Sequence, residues 1–115
     1  MSEITIYHNP RCRKSREGLQ LLQNKNIHPD IRLYLDKPLS KSELTNLISQ
    51  LKIEPIDLVR TNESIWKTDF KGKNLSQNQI IEAMVAHPKL IERPIVVNKG
   101  KAVIGRPAEK ILDIL

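Results

Sequence analysis

Cysteine is nearly absent. The chain of 115 residues holds one, Cys12, and aromatic residues make up only 3% of it. A single cysteine excludes any intrachain disulfide and any cysteine-rich zinc site. The three histidines, His8, His28 and His87, are scattered without ligand spacing, so no metal is expected. So few aromatics leave little to stack bases on, which argues against nucleic acid as a partner. No apolar run approaches the ~18 residues that cross a bilayer. No N-terminal segment reads as a secretory leader. A cytoplasmic, reducing setting without membrane association is therefore expected. The four glycines, Gly18, Gly72, Gly100 and Gly105, match no phosphate-cradling loop, and no bound cofactor is expected.

What the chain does have is positive charge. Nineteen Lys and Arg against thirteen Asp and Glu leave a net charge of +6. Such a surface attracts anions: nucleic acid, acidic proteins, small oxyanions. The length suits one domain, large enough to build a core without staples.

Periodicity divides the chain into three parts. Ile4-Thr5-Ile6-Tyr7 is β-branched and alternating, a strand expected at the centre of a sheet. After His8-Asn9-Pro10 a helix is expected to begin at or next to Cys12, running through Leu19, Leu21 and Leu22 to an Asn-rich end at residues 24–26. Ile31-Arg32-Leu33-Tyr34-Leu35 alternates again and reads as a second strand, parallel to the first. A helical block follows. Ser40 and Glu43 form a capping box ahead of Leu44, Leu47, Ile48 and Leu51. Ser76 and Gln79 repeat it ahead of Ile80, Ala83, Met84 and His87, and Pro88 ends that helix. Helical turns near 56–59 and 64–67 and a loop at 71–74 join the two. The period then returns to two. Pro94–Val97 and Ala102–Ile104 read as strands around a hairpin turn at Asn98–Lys101. Pro107 suits the first position of a final helix with Ile111, Leu112 and Leu115 on one face.

Cys12 carries the chemistry this order points to. A helix N-terminus presents unpaired N–H groups and the positive end of the dipole, both of which stabilise a thiolate. Arg11, Arg13, Lys14 and Arg16 surround it in sequence. An isolated free cysteine is more often a buried, inert small residue, but four cations and a proline are not apolar surroundings. His8, across the turn, suits proton handling, although a histidine at a strand end is often simply solvated. Ser15 completes Cys12-x-x-Ser15, with a hydroxyl in position to bond the sulfur or merely to occupy the first helical turn.

Further motifs extend this pattern along the chain. His8-Asn9-Pro10-Arg11-Cys12 with Ser15 is followed by Tyr34-Leu35 ahead of Pro38, then Val59-Arg60, Glu92-Arg93-Pro94-Ile95-Val96-Val97, and Ile104-Gly105-Arg106-Pro107. In this order and at these separations the set resembles the glutaredoxin-coupled arsenate reductase family, and most closely its short chromosomal, YfgD-type branch. The resemblance implies an α/β, thioredoxin-like fold: β-α-β, a helical insertion over about 39–91, then β-β-α, with a mixed four-stranded sheet in a single domain. It implies that Cys12 is the nucleophile, with His8 and Ser15 beside it. Arg60, Arg93 and Arg106 would bind the oxyanion, and Arg93–Pro94 would be a cis peptide.

The implied reaction is reduction of arsenate to arsenite, with glutathione as co-substrate and glutaredoxin as partner. With one cysteine in the chain, the second thiol has to come from outside, a conclusion the composition reaches independently. The same guanidinium groups would bind phosphate, and the unusually basic loop around Cys12 would hold it. Beside non-specific nucleic-acid binding, which rests only on the net charge of +6, two other readings stay open on sequence alone. One is a transcriptional regulator of the Spx type, which binds RNA polymerase, though such proteins often carry Cys-x-x-Cys where this chain has Ser15. The other is a monothiol, glutathione-dependent oxidoreductase working through Cys12.

Overall fold

Alternation does make the first strand. In the computed structural model, which describes residues 3–115, β1 is Ile4–Tyr7. It lies between two neighbours in a sheet ordered β2-β1-β3-β4. The strand β2 (Asp30–Arg32) runs parallel to it, pairing Ile6 with Ile31. The strand β3 (Ile95–Asn98) runs antiparallel, pairing Tyr7 with Ile95. The strand β4 (Lys101–Ile104) is antiparallel to β3 and pairs Ile95 with Ile104. The β3–β4 hairpin turns through Lys99 and Gly100, both at positive φ, the tight turn whose twist matches its strands. With β1 and β2 joined through the helix α1 (Arg13–Asn24), this mixed four-stranded sheet is thioredoxin-like.

The chain divides into two compact units, one ending at Lys37 and resuming over Arg93–Leu115, the other Pro38–Glu92. In the first, Ile6, Leu22, Val96 and Ile111 form a buried cluster, framed by Leu19, Ile27, Val103 and Ile114 among others. In the second, α2 (Lys41–Leu51) and α4 (Gln77–Ala86) each begin with the expected reciprocal cap. Ser40 Oγ accepts from the Glu43 N–H and Ser76 Oγ from the Gln79 N–H. Leu44, Leu47, Ile48, Ala83 and Met84 are buried there, together with Ile81 from the neighbouring position. The expected turns are a 3-10 turn at Pro55–Leu58 and the short helix α3 (Ser64–Asp69). His87 caps α4 and meets the Phe70 ring edge-on.

Two expectations are corrected. The second strand stops at Arg32 rather than Leu35. The N–H groups of Asp36 and Lys37 both return to the Leu33 carbonyl, at 3.0 and 2.9 Å. Tyr34, within that turn, is buried, while Ile31, Leu33 and Leu35 are exposed. The final helix is of the 3-10 kind, Ala108–Ile114, and Pro107 stands before its first residue. Three residues per turn align Ile111 with Ile114. Ile111 is buried, and Leu112 and Leu115 are exposed.

Arg93–Pro94 is cis, as the resemblance implied, and Arg106–Pro107 is cis as well. The Pro94 ring lies against two glycines. A Cβ added at Gly18 on α1 would stand 2.8 Å from Pro94 Cγ, and one at Gly105 would stand 3.1 Å from the same atom. The Gly105 N–H donates to the Pro94 carbonyl at 2.8 Å. Helix α1, the start of β3 and the end of β4 therefore close on one proline.

Candidate functional site

The register of three strands assembles the site. Tyr7, Ile95 and Ile104 are successive partners across β1, β3 and β4. The residues just beyond them therefore meet at one end of the sheet: the His8–Cys12 loop, Arg93 and Arg106. Four bonds shape the loop. The His8 N–H donates to the Arg32 carbonyl at 2.9 Å, extending the parallel ladder by one residue. Asn9 Oδ1 accepts the Arg11 N–H at 3.0 Å, the local turn that an Asn side chain favours. The Asn9 carbonyl accepts the Cys12 N–H at 3.0 Å. Arg16 Nη1 reaches back to the Pro10 carbonyl at 2.9 Å. Cys12 then occupies the N-cap of α1 in extended conformation, and its carbonyl accepts the first helical N–H, that of Arg16.

Cys12 is half-buried. Its sulfur makes no cap hydrogen bond of standard geometry, but the helix still acts on it. Burial pushes the thiol pKa up. The Ser15 N–H, then the Arg93 guanidinium as both hydrogen-bond donor and charge, and then the Lys14 N–H push it down, and the balance lies below the ordinary value. Arg93 Nε is buried without a hydrogen-bond partner. A buried donor left unpaired costs about 1–3 kcal/mol, so Arg93 brings to the sulfur both a positive charge and an unused donor.

His8 and Ser15 are both buried. Ser15 Oγ accepts the Asn9 N–H at 3.0 Å and lies 2.7 Å from His8 Nδ1. The hydroxyl hydrogen and Nδ1 satisfy each other when Ser15 donates to a neutral imidazole. Burial, followed by the charge of Arg16, holds the His8 pKa below its ordinary value. Ser15 therefore meets the sulfur through its backbone N–H and meets His8 through its hydroxyl.

The cations next to Cys12 in sequence are mostly turned to other partners. Arg13 and Lys14 both pair with Glu17, at 3.2 and 3.8 Å, and Arg16 braces the Pro10 carbonyl. The guanidinium on the sulfur comes instead from Arg93, about eighty residues away. Arg106 is half-buried, two residues beyond Ile104, and does not appear among the groups acting on the thiol. Arg60 belongs to the other unit. There its guanidinium pairs with Glu63, and its N–H donates to the Leu90 carbonyl at 2.7 Å. In the sequence Arg16 reads only as charge; its place one turn after Cys12, facing back over a proline, is the signal that could have marked it as a brace. Among the described residues no His, Cys, Asp or Glu group is arranged to hold a metal ion, and no helix is long and apolar enough to cross a membrane.

Comparison with known proteins places this site in a family. The ArsC family model matches residues 7–114. An arsenate reductase of Haemophilus influenzae is 46% identical, covering 97% of this chain and 98% of its own length. The uncharacterized protein YfgD of Escherichia coli is 44% identical over 98% of this chain and 97% of its own. The solved structure of an arsenate reductase from Vibrio cholerae superposes with a TM-score of 0.94 at 46% identity, covering 97% of each chain. Matches of this length and identity, spanning the Cys12 loop, Arg93 and Arg106 alike, make the chain a member of the ArsC family.

Proposed function

We propose that this protein is an arsenate reductase in which Cys12 is the nucleophile and Arg93 the principal oxyanion ligand. The reading is carried by one observation. The guanidinium that lowers the Cys12 thiol pKa also keeps a buried Nε donor without a protein acceptor. A tetrahedral oxyanion in contact with the sulfur would supply that acceptor. Arginine suits the task, being always charged and able to donate two parallel hydrogen bonds. The same charge offsets the repulsion between thiolate and anion as they approach. Arg106 follows Gly105, whose N–H is bonded to the Pro94 carbonyl, and serves as a second cation at this end of the sheet. Ser15 and His8 hold the loop in shape through their mutual hydrogen bond.

Chemically, the Cys12 thiolate forms a bond to arsenic while an arsenic–oxygen bond breaks. The departing oxygen takes a proton and leaves as water. Reduction of As(V) to As(III) then needs two electrons. Two thiols supply them by becoming a disulfide, and with no second cysteine in the chain both electrons come through external thiols. Glutathione fills this role, with glutaredoxin clearing the mixed disulfide. Phosphate binds the same groups but is not reduced by thiols, so selection between the two anions lies in the chemistry. The test is NADPH oxidation coupled through glutathione reductase, glutathione and glutaredoxin. Oxidation that depends on arsenate supports the reading, and a rate indifferent to arsenate refutes it. Omitting glutaredoxin shows whether it is the partner.

A further inference from the structure

A small cleft of about 270 Å³ opens beside the reactive loop, lined by His8, Asn9, Pro10, Arg11, Leu33, Leu35 and Asp36. It lies wholly within the thioredoxin-like unit, and the turn that ends β2 early is what builds its far wall. Arg11, the residue before Cys12, and Asp36 both line it. Both are exposed, and neither makes an ion pair among the described residues. Leu33 and Leu35 supply apolar lining and are 37% and 42% exposed.

We propose that this cleft seats the reducing thiol, and that its occupant is glutathione, a small peptide carrying both charges. The proposal rests on the reading of Cys12 as a nucleophile resolved by an external thiol. Three features select such a ligand. The cleft has the size of a tripeptide rather than of a bare oxyanion. It offers one positive and one negative group with neither neutralised by the protein, which fits a carboxylate on Arg11 and the γ-glutamyl ammonium on Asp36. It also begins at the residue before Cys12, so a peptide held there brings its central sulfur toward the reactive one. An anion alone would gain nothing from Asp36, and an apolar ligand nothing from either charge.

The test measures reaction of Cys12 with two disulfides, followed by mass spectrometry. In each, the Cys12 thiolate attacks one sulfur, the disulfide bond breaks, a mixed disulfide forms and the other half leaves as thiolate. One reagent is oxidised glutathione; the other is the uncharged bis(2-hydroxyethyl) disulfide. The ratio of the two rates cancels any change in the reactivity of Cys12 itself. Arg11→Ala and Asp36→Ala are each expected to lower that ratio about fivefold or more. Asp36→Ala is decisive. Oxidised glutathione carries net negative charge, so if only the general field attracts it, removing Asp36 raises the ratio; a specific seat for the ammonium makes it fall. A rise, or no change, overturns the proposal. In the arsenate assay the same variants should raise KM for glutathione by a larger factor than any change in KM for arsenate. If the wild-type protein shows no arsenate-dependent turnover, the proposed function fails, while the disulfide ratio still reports on the cleft.

Discussion

At the scale of single residues, the site is a contest between burial and donors at one sulfur. Burial opposes the thiolate, and the Ser15 N–H and the Arg93 guanidinium overcome it. Cys12→Ser should reduce arsenate turnover to the rate without enzyme while changing the free energy of unfolding by no more than about 1 kcal/mol, since the position is only half-buried; retained turnover would contradict the nucleophile assignment. Arg93→Lys keeps a charge but loses the fork. It should lower kcat/KM for arsenate about ten- to a hundredfold, the equivalent of one or two charged hydrogen bonds. Arg93→Ala should in addition raise the thiol pKa, read from the ultraviolet absorbance of the thiolate against pH. The linkage has a definite sign. Cys12 titrates lower in the folded chain than in the unfolded one, so its contribution to stability is complete above the unfolded value and disappears as pH falls through the folded one. Cys12→Ser should flatten the stability profile between those two values. His8, also lowered, contributes above its unfolded value near 6.5 and loses that contribution as pH falls further, a limb the serine variant keeps. Cys12 was legible in the sequence because its helix-start position and its charged neighbours coincide. Which cation serves it was not. Arg13 and Lys14 turn along the helix surface to Glu17, and nothing local to Cys12 reveals that strand pairing delivers Arg93.

At the scale of elements, the active end of the sheet depends on how closely α1 approaches β3. Gly18 makes that approach possible: a methyl group there would stand 2.8 Å from Pro94 Cγ and 3.2 Å from Ile111 Cδ1. The proline ring is stiff, so the helix or the strand has to move. Gly18→Ala should destabilise the protein by about 1–3 kcal/mol, as overpacking does, measured by denaturant unfolding. It should also lower kcat/KM for arsenate, because the residue that shifts with Pro94 is Arg93. Loss of stability with unchanged kinetics would separate the packing of Pro94 from the placement of Arg93. Much of this level was readable in advance. The capping boxes at Ser40 and Ser76, the Lys99-Gly100 hairpin and the switch of period at Pro94 are local signals, and local chemistry decides them. The two failures share a cause. Ile31, Leu33 and Leu35 alternate as a strand does, but backbone bonds to the Leu33 carbonyl end the strand. Leu112 and Leu115 fit an α-helical face, but the segment winds with three residues per turn. Side-chain pattern cannot distinguish these backbone choices when the segments are this short.

At the scale of the whole molecule, the relevant quantity is the net charge of +6. Arsenate near neutral pH and glutathione are both anions, so the field of the protein draws both toward it. That long-range attraction is distinct from the short-range grip proposed for Arg93, and salt separates the two. The Debye length contracts from about 30 Å at 0.01 M to about 8 Å at 0.15 M ionic strength. Raising sodium chloride over this range, with glutathione and glutaredoxin saturating, should raise KM for arsenate about threefold or more and leave kcat nearly constant, because chloride screens the approach without altering the bound state. Phosphate at matched ionic strength should do more. As a tetrahedral oxyanion it occupies the donors that arsenate needs, so its inhibition should be competitive and should exceed that of chloride well before screening saturates. Substituting Arg93 by Ala should remove this excess while leaving the chloride dependence in place, since the screened charge is spread over the surface and the competed charge is local. Equal inhibition by the two salts in the wild type would mean that the anion is held only by the general field, and Arg93 would lose its assignment as the oxyanion ligand.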